Sequence, residues 1–479
     1  MAITARRSQF RSSSVRRRLG ATLCTTLLLL CAPAIRSQTP AEEDDPPDDL
    51  RRRIEELEQR IEELEAEGAD EAGDEAVEEP ERPHVPGQGI RLGKASWGEL
   101  NFSVYTYIRY LNQNGLDETY TDAFGSTRML NLREDLQIQK VVLYFNGWIY
   151  RPRLRYLFYV WTSNTSQGLG AQVVLAGYLT WQFNEHVKLG LGISGLPTTR
   201  SLRGSWPYWL KEDNRTIADE YFRGSYTTGI WVEGKITERS QYKFMIGNNL
   251  SQLGIDAGQL RAGLDTYSGS VWWTPTTGEF GLRQSYGDFE HHDKPATLFG
   301  ISATRSREDA QSQPGVNDIE NSQIRISDGN VVFTPDLFAT DVQIRELTYR
   351  MAALDAAVKY RGFSLEAELY RRLVDDFGIA GTGTLPFDEL DDHGFQVQAS
   401  AMVVPKTLQV YAGGSKIYGE YGEPSDFSVG LNWFPLKRQE LRAQVEALHL
   451  DRSPVGNLSI PQVVGGDGWV FHSNLSLYW

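Results

Sequence analysis

The sequence predicts an all-β fold: a transmembrane antiparallel β-barrel of about 16–18 strands, preceded by a short α-helical coiled coil. Three observations predict it. The chain opens with an export signal, most of it alternates apolar and polar residues with period two, and its last strand stops on Trp479.

Six arginines (Arg6, Arg7, Arg11, Arg16, Arg17, Arg18) precede an apolar run over 19–32, and Ala32-Pro33-Ala34 offers the small residues a signal peptidase cuts beside. Residues 1–34 are therefore expected to be a signal peptide, since the run is too short for an ordinary membrane helix. Leu28, Leu29 and Leu30 before Cys31 lack the small residues of a lipoprotein site. Cys24 and Cys31 both lie in this segment, so the exported chain carries no thiol. That excludes a disulfide scaffold, a cysteine-zinc protein and a thiol enzyme. No later stretch is apolar for long enough to span as a helix, so a membrane crossing requires a closed barrel.

The net charge of −15 is unevenly placed. The first 40 residues hold seven arginines and no acid, and residues 41–81 hold twenty acids against four arginines, leaving −6 from residue 82 onward. The acidity thus belongs to a tail, and nothing in the charge pattern suggests a nucleic-acid partner.

Within the acidic segment 35–67, Leu50, Ile54, Leu57, Ile61 and Leu64 fall at heptad spacing and form a coiled-coil seam. So short a seam holds only where other contacts bring subunits together. Isoleucine at a and leucine at d favour two strands. Residues 68–96 are acidic and then rich in proline and glycine (Pro80, Pro83, Pro86, Gly87, Gly89), which predicts a linker. The stretch GQGIRLGK is not a phosphate-binding loop, because Gln88 stands where that loop needs glycine and Ala95 where it needs Ser or Thr.

The barrel is expected over 97–479. In its first strand Leu100, Phe102, Val104, Thr106 and Ile108 share one face, while Asn101, Ser103, Tyr105, Tyr107 and Arg109 share the other. One face suits lipid and the other water. The stretch 140–164 repeats this as a hairpin around a tight turn at Arg151-Pro152, and similar segments follow at 173–183, 187–193, 363–369, 395–401 and 427–433. Arg361-Gly362 and Pro405-Lys406 have the chemistry of short hairpin turns. A soluble β-sandwich also alternates, but the export signal, the aromatics near strand ends and the alternation of short turns with long polar loops favour the membrane barrel. In the last strand Trp469, Phe471, Ser473, Leu475, Leu477 and Trp479 face one way, and His472, Asn474, Ser476 and Tyr478 the other. This strand resembles the C-terminal signature of outer-membrane barrels, which implies recognition by the barrel-assembly machinery, with Trp479 where phenylalanine is usual.

VVLYFNGWIYRPRLRYLFYVWTSN at 141–164, GLGISGLPTTRSL at 190–202 and GIWVEGKI at 229–236, behind a coiled coil, resemble the phosphate-selective porin family. The resemblance runs through the mature chain and is clearest at 136–250 and at the C-terminus. It implies an outer-membrane homotrimer in contact with lipid, through which small hydrophilic solutes diffuse passively, anions such as phosphate among them. It also implies a loop around 197–224 that folds into the lumen.

An anion entering a narrow pore exchanges water for charge-assisted hydrogen bonds, and a ladder of guanidinium groups provides them weakly enough to conduct. The candidates are Arg200, Arg203, Lys211 and Arg215 on the loop, with Arg109, Arg153 and Arg155 at lumen-facing strand positions. The alternative is that these are wall charges balanced by Glu212, Asp213, Asp219 and Glu220. No dense lysine run is present, so the expected solute class stays broad. Trp206, Tyr208, Trp209, Tyr221 and Phe222 either form a sugar-stacking slide or pack the loop on the wall, and packing is the expectation.

The histidines form no catalytic pattern, so no enzyme, catalytic residue or cofactor is expected. His291-His292 beside Asp288, Glu290 and Asp293 could hold a divalent ion, but a solvated loop without metal is expected. Asp388-Glu389-Leu390-Asp391-Asp392 reads as an acidic external loop. The alternative function is structural: a coiled coil contacting the periplasm or peptidoglycan, with the barrel as its anchor.

Overall fold

The computed structural model describes residues 89–479 apart from 164–171, 254, 256, 262 and 315–322, and earlier the helical positions Arg52, Arg53, Glu56, Gln59 and Arg60. The signal segment and the heptad seam lie outside the described residues. The chain divides into the units Met1–Arg82 and Pro83–Trp479, and the second is the barrel.

Its strands are β1 (Ile90–Ala95), β2 (Gly98–Leu116), β3 (Thr119–Thr121), β4 (Thr127–Met129), β5 (Glu134–Ile149), β6 (Arg151–Ser163), β7 (Gln172–Gln182), β8 (Lys188–Gly195), β9 (Tyr226–Thr237), β10 (Ser240–Gly247), β11 (Thr266–Trp273), β12 (Ala296–Asp309), β13 (Gln343–Tyr360), β14 (Phe363–Ala380), β15 (Leu390–Val404), β16 (Leu408–Tyr418), β17 (Ser425–Trp433), β18 (Leu441–Asp451) and β19 (Gly468–Tyr478). From β5 onward each strand pairs antiparallel with the next. β2 pairs with β5 on one edge and β19 on the other, so sixteen described strands close on themselves. β3 and β4 form a small separate hairpin between β2 and β5.

The period-two pattern becomes two surfaces. Ile108, Leu175, Leu191, Ile301, Leu354, Leu365, Phe427 and Leu475 are exposed on the outside. Phe102, Phe145 and Phe158 stand directly opposite one another on three neighbouring strands, with ring centroids 5.3 and 6.4 Å apart. Such an apolar belt belongs in lipid. Inside, Ser103, Tyr105, Tyr107, Arg109, His472, Asn474 and Ser476 are buried.

Two details differ from the sequence reading. Residues 90–95, expected within the linker, form β1 and pair with Gly98 to Phe102. They occupy the edge of β2 that β19 leaves open, because Trp479 already ends at Val104, with N–H···O bonds of 2.9 Å in both directions. The turn expected at Arg151-Pro152 sits one residue earlier: Tyr150 takes φ 60° and Arg151 is already paired with Ile149. The turn at Arg361-Gly362 has φ 49° and 85°, the left-handed pair that matches strand twist in a two-residue hairpin.

Most connections at one end are short turns and most at the other are longer. The connection 274–295, between β11 and β12, lies at the short-turn end and is long. At the long-loop end the interior is apolar: Leu111 of β2, Leu448 and Leu450 of β18 and Val470 of β19 pack with Ile324, Ile326, Val332 and Phe333 from the connection between β12 and β13.

Candidate functional site

The connection 196–225, between β8 and β9, runs inside the barrel and is almost wholly buried. Two glycines shape its departure. A Cβ on Gly190 would stand 2.1 Å from the Trp231 ring, and one on Gly192, at φ 131°, would stand 2.9 Å from the Tyr178 Cβ. Their absence lets Tyr178 and Trp231 meet edge to face across β8, with centroids 5.4 Å apart. Further on, Thr216 caps the short helix α1 (Ile217–Phe222), whose Phe222 stacks on Tyr370 of β14 at 5.1 Å.

The loop is tied to the wall by charge. Glu212 accepts from Arg442 Nε at 2.7 Å and Ser476 Oγ at 2.7 Å, and also from the Tyr105 hydroxyl. Asp213 meets Lys140 Nζ at 2.5 Å and accepts from the Tyr107 hydroxyl and the Trp206 indole, each at 2.9 Å.

The predicted pore cations fall into two groups. Arg200 pairs with Glu366, its backbone N–H donates to Glu368 at 3.0 Å, and its guanidinium lies 4.1 Å from the Tyr286 ring centroid. Arg203 meets Asp355 at 2.5 Å. Lys211 lies 3.8 Å from Glu446 and 3.9 Å from Asp426. Arg215 pairs with Glu220 at 2.8 Å and lies 4.1 Å from the Trp209 ring centroid. Arg109 donates to Asn474 Oδ1, to Ser459 O and, at 3.1 Å, to Glu212 O. Arg200, Arg203, Lys211 and Arg109 hold the loop against the wall, while Arg215 pairs within the loop itself. Arg153 and Arg155 are exposed near the start of β6, away from that network, and Arg155 Nε donates to Pro152 O at 3.3 Å. Several balancing carboxylates, Glu366, Asp355, Glu446 and Asp426, belong to distant strands.

The second inward segment, 274–295, was expected only as a solvated loop around His291-His292, yet Phe280, Ser285, Tyr286 and Asp288 are buried. It enters from the opposite end and meets the first, with Tyr286 N–H donating to Tyr208 O at 2.8 Å. Lys359 Nζ donates to Phe280 O at 2.9 Å and Ser285 Oγ at 3.1 Å, and Gly287 N–H donates to Glu366 at 2.9 Å. Glu366 therefore serves both segments. The aromatic run Phe280, Tyr286 and Phe289, interleaved with glycine, is the signal that could have marked it.

This segment carries Asp288, Glu290 and His292, whose ligand atoms lie within 4.8 Å of one another. Their neighbours suit internal pairing better than a metal. His292 Nδ1 lies 2.5 Å from Asp288 and Nε2 3.0 Å from Glu279, while Lys359 Nζ is 4.0 Å from Glu290. Nor is 388–392 all external loop. Leu390–Asp392 begin β15, with Asp391 turned out to Arg371 and Asp392 turned in to Arg372.

No family model and no curated protein matches the sequence. Among solved structures the chain is similar to an anion-selective porin from Comamonas acidovorans, at 11% identity, covering 80% of this chain and 100% of that one with a TM-score of 0.49. It is also similar to OmpT of Vibrio cholerae, at 10% identity, covering 81% and 100% with a TM-score of 0.49. The outer membrane channel DcaP of Acinetobacter baumannii matches at 10% identity, covering 82% and 99% with a TM-score of 0.47.

Proposed function

We propose that the protein is a porin of a bacterial outer membrane, a homotrimer through which small hydrophilic solutes, anions among them, diffuse passively. One observation carries the reading: a closed sixteen-strand barrel that is apolar outside and lined inside by charged and hydroxyl groups, with segments entering from both ends. A polar interior is what an aqueous passage requires. The export signal and the aromatic-ended last strand support outer-membrane placement through the assembly machinery. The trimer rests on the family resemblance, and crosslinking of the purified protein tests it against the dimer that the seam favours.

The loop cations already have carboxylate partners, so the reading stops at a broad solute class and phosphate is not singled out. The full chain in a planar bilayer should give discrete conductance steps. Silence would end the channel reading, and cation preference would end the anion part. The packed apolar interior at the long-loop end favours a second reading, a tethering barrel. Removing residues 41–85 separates the two: lost envelope attachment with no conductance in either form supports the tether.

A further inference from the structure

We propose that Arg283 is the group that reads solutes in this channel, and that it favours monoanions carrying a flat ring. The inference rests on the porin reading. Arg200, Arg203, Lys211 and Arg215 face carboxylates, and Arg109 is saturated by neutral oxygens while fully buried. Arg283 differs from all of them. It is exposed, and among the described residues its guanidinium reaches no carboxylate; its one hydrogen bond is a long one, 3.4 Å from NH1 to Trp206 O.

The chain is arranged to present it. Arg283 and Gln284 are consecutive non-glycine residues with φ 51° and 54°, a conformation that persists only where surroundings enforce it. Here Leu282 N–H is held by Glu290 at 3.1 Å, and Arg200 donates to both Gln284 O and Ser285 O at 3.4 Å. A guanidinium is thus fixed inside the barrel without a counter-ion.

Its surroundings are phenols. The guanidinium lies 6.0 Å from the Tyr208 ring centroid, Tyr208 meets Tyr478 at 5.8 Å, and Tyr478 meets Tyr144 at 6.4 Å. These rings continue into a wall: Tyr144 meets Tyr159 at 5.8 Å, and Tyr178 meets Trp231 at 5.4 Å. A planar fork suits one carboxylate, aromatic faces suit a flat ring, and phenol hydroxyls bond substituents on it. A single unpaired cation matches a single negative charge.

Benzoate is the probe, with chloride as the anion lacking a ring. Full-length protein in a planar bilayer should pass benzoate in preference to acetate and should prefer anions to potassium. Arg283→Ala should lower the anion-to-potassium permeability ratio roughly tenfold, the loss of about 1.4 kcal/mol. Arg283→Lys should keep the chloride preference and lose the benzoate preference. Tyr178→Ala should spare chloride over potassium and weaken benzoate over acetate. Unchanged reversal potentials in a conducting Arg283→Ala channel overturn the proposal. Calorimetric titration of benzoate into the folded barrel in detergent gives an answer independent of conduction: saturable binding that Arg283→Ala abolishes supports the site, and binding indifferent to that substitution overturns it. Absent conductance alone strikes at the porin reading instead.

Discussion

Glu212 is the residue on which the inward loop turns. Its carboxylate neutralises Arg442, accepts from Ser476 and Tyr105, and its backbone oxygen takes a bond from Arg109. Glu212→Ala leaves Arg442 as a buried, unmatched cation, a loss of about 3–5 kcal/mol by the behaviour of broken buried pairs. A lower urea midpoint for the variant in lipid vesicles checks this, and an unchanged midpoint contradicts it. Its neighbour Asp213 sets a pH limit. Burial alone would raise its carboxyl, but Lys140, then Arg109 and the Trp206 indole, bring it down to about 2. A depressed carboxyl contributes stability above its ordinary value of 3.8 and loses it as pH falls toward about 2. The loop should therefore stay docked from neutral pH to that ordinary value and loosen below it. Tryptophan emission compared between the wild type and Trp206→Phe reports the change, and loosening near neutral pH would count against this pairing.

At the scale of elements, β8 serves as a thin strand that aromatic rings lie across. Gly190→Ala would place a methyl group 2.1 Å from the Trp231 ring. The expected cost is about 1–3 kcal/mol, the range for overfilling a packed site. In a double-mutant cycle Trp231→Ala should remove most of that cost, whereas additive losses would show that the two positions are independent. The segment between β11 and β12 acts as a plug from the short-turn end. Replacing residues 275–294 with a two-residue turn should widen the passage and raise single-channel conductance. An equal or smaller conductance would show that another element limits flow.

At the scale of the whole molecule, closure depends on the last residue. Trp479 exchanges both backbone hydrogen bonds with Val104, and β1 covers the edge of β2 beyond it. A closed barrel leaves no strand edge in lipid, where unpaired backbone groups cost several kcal/mol each. Removing Trp479 should cut the yield of barrel that resists unfolding by detergent in the cold, and Trp479→Phe should restore it. Equal yields for the deletion would show that closure tolerates the missing pair.

The alternation of Leu100 to Arg109, the turn at Arg361-Gly362 and the final strand from Trp469 were legible in the sequence because strand faces and tight turns are local: period two and left-handed turn residues need no distant partner. The sequence by itself determined a membrane barrel and its inner and outer faces. It did not show which cations are neutralised, since Arg200 and Glu366 are separated by five intervening strands and meet only on closure. Nor could it show the second inward segment, because a loop's direction follows from what receives it: Glu366, Lys359 and the Tyr208 carbonyl arrive from other strands and another loop. Tertiary structure alone decided that Arg283 reaches no carboxylate among the described residues. Charge balance inside a barrel is a property of the closed wall, where long-range neighbours desolvate and pair one another, and chain order does not encode that proximity.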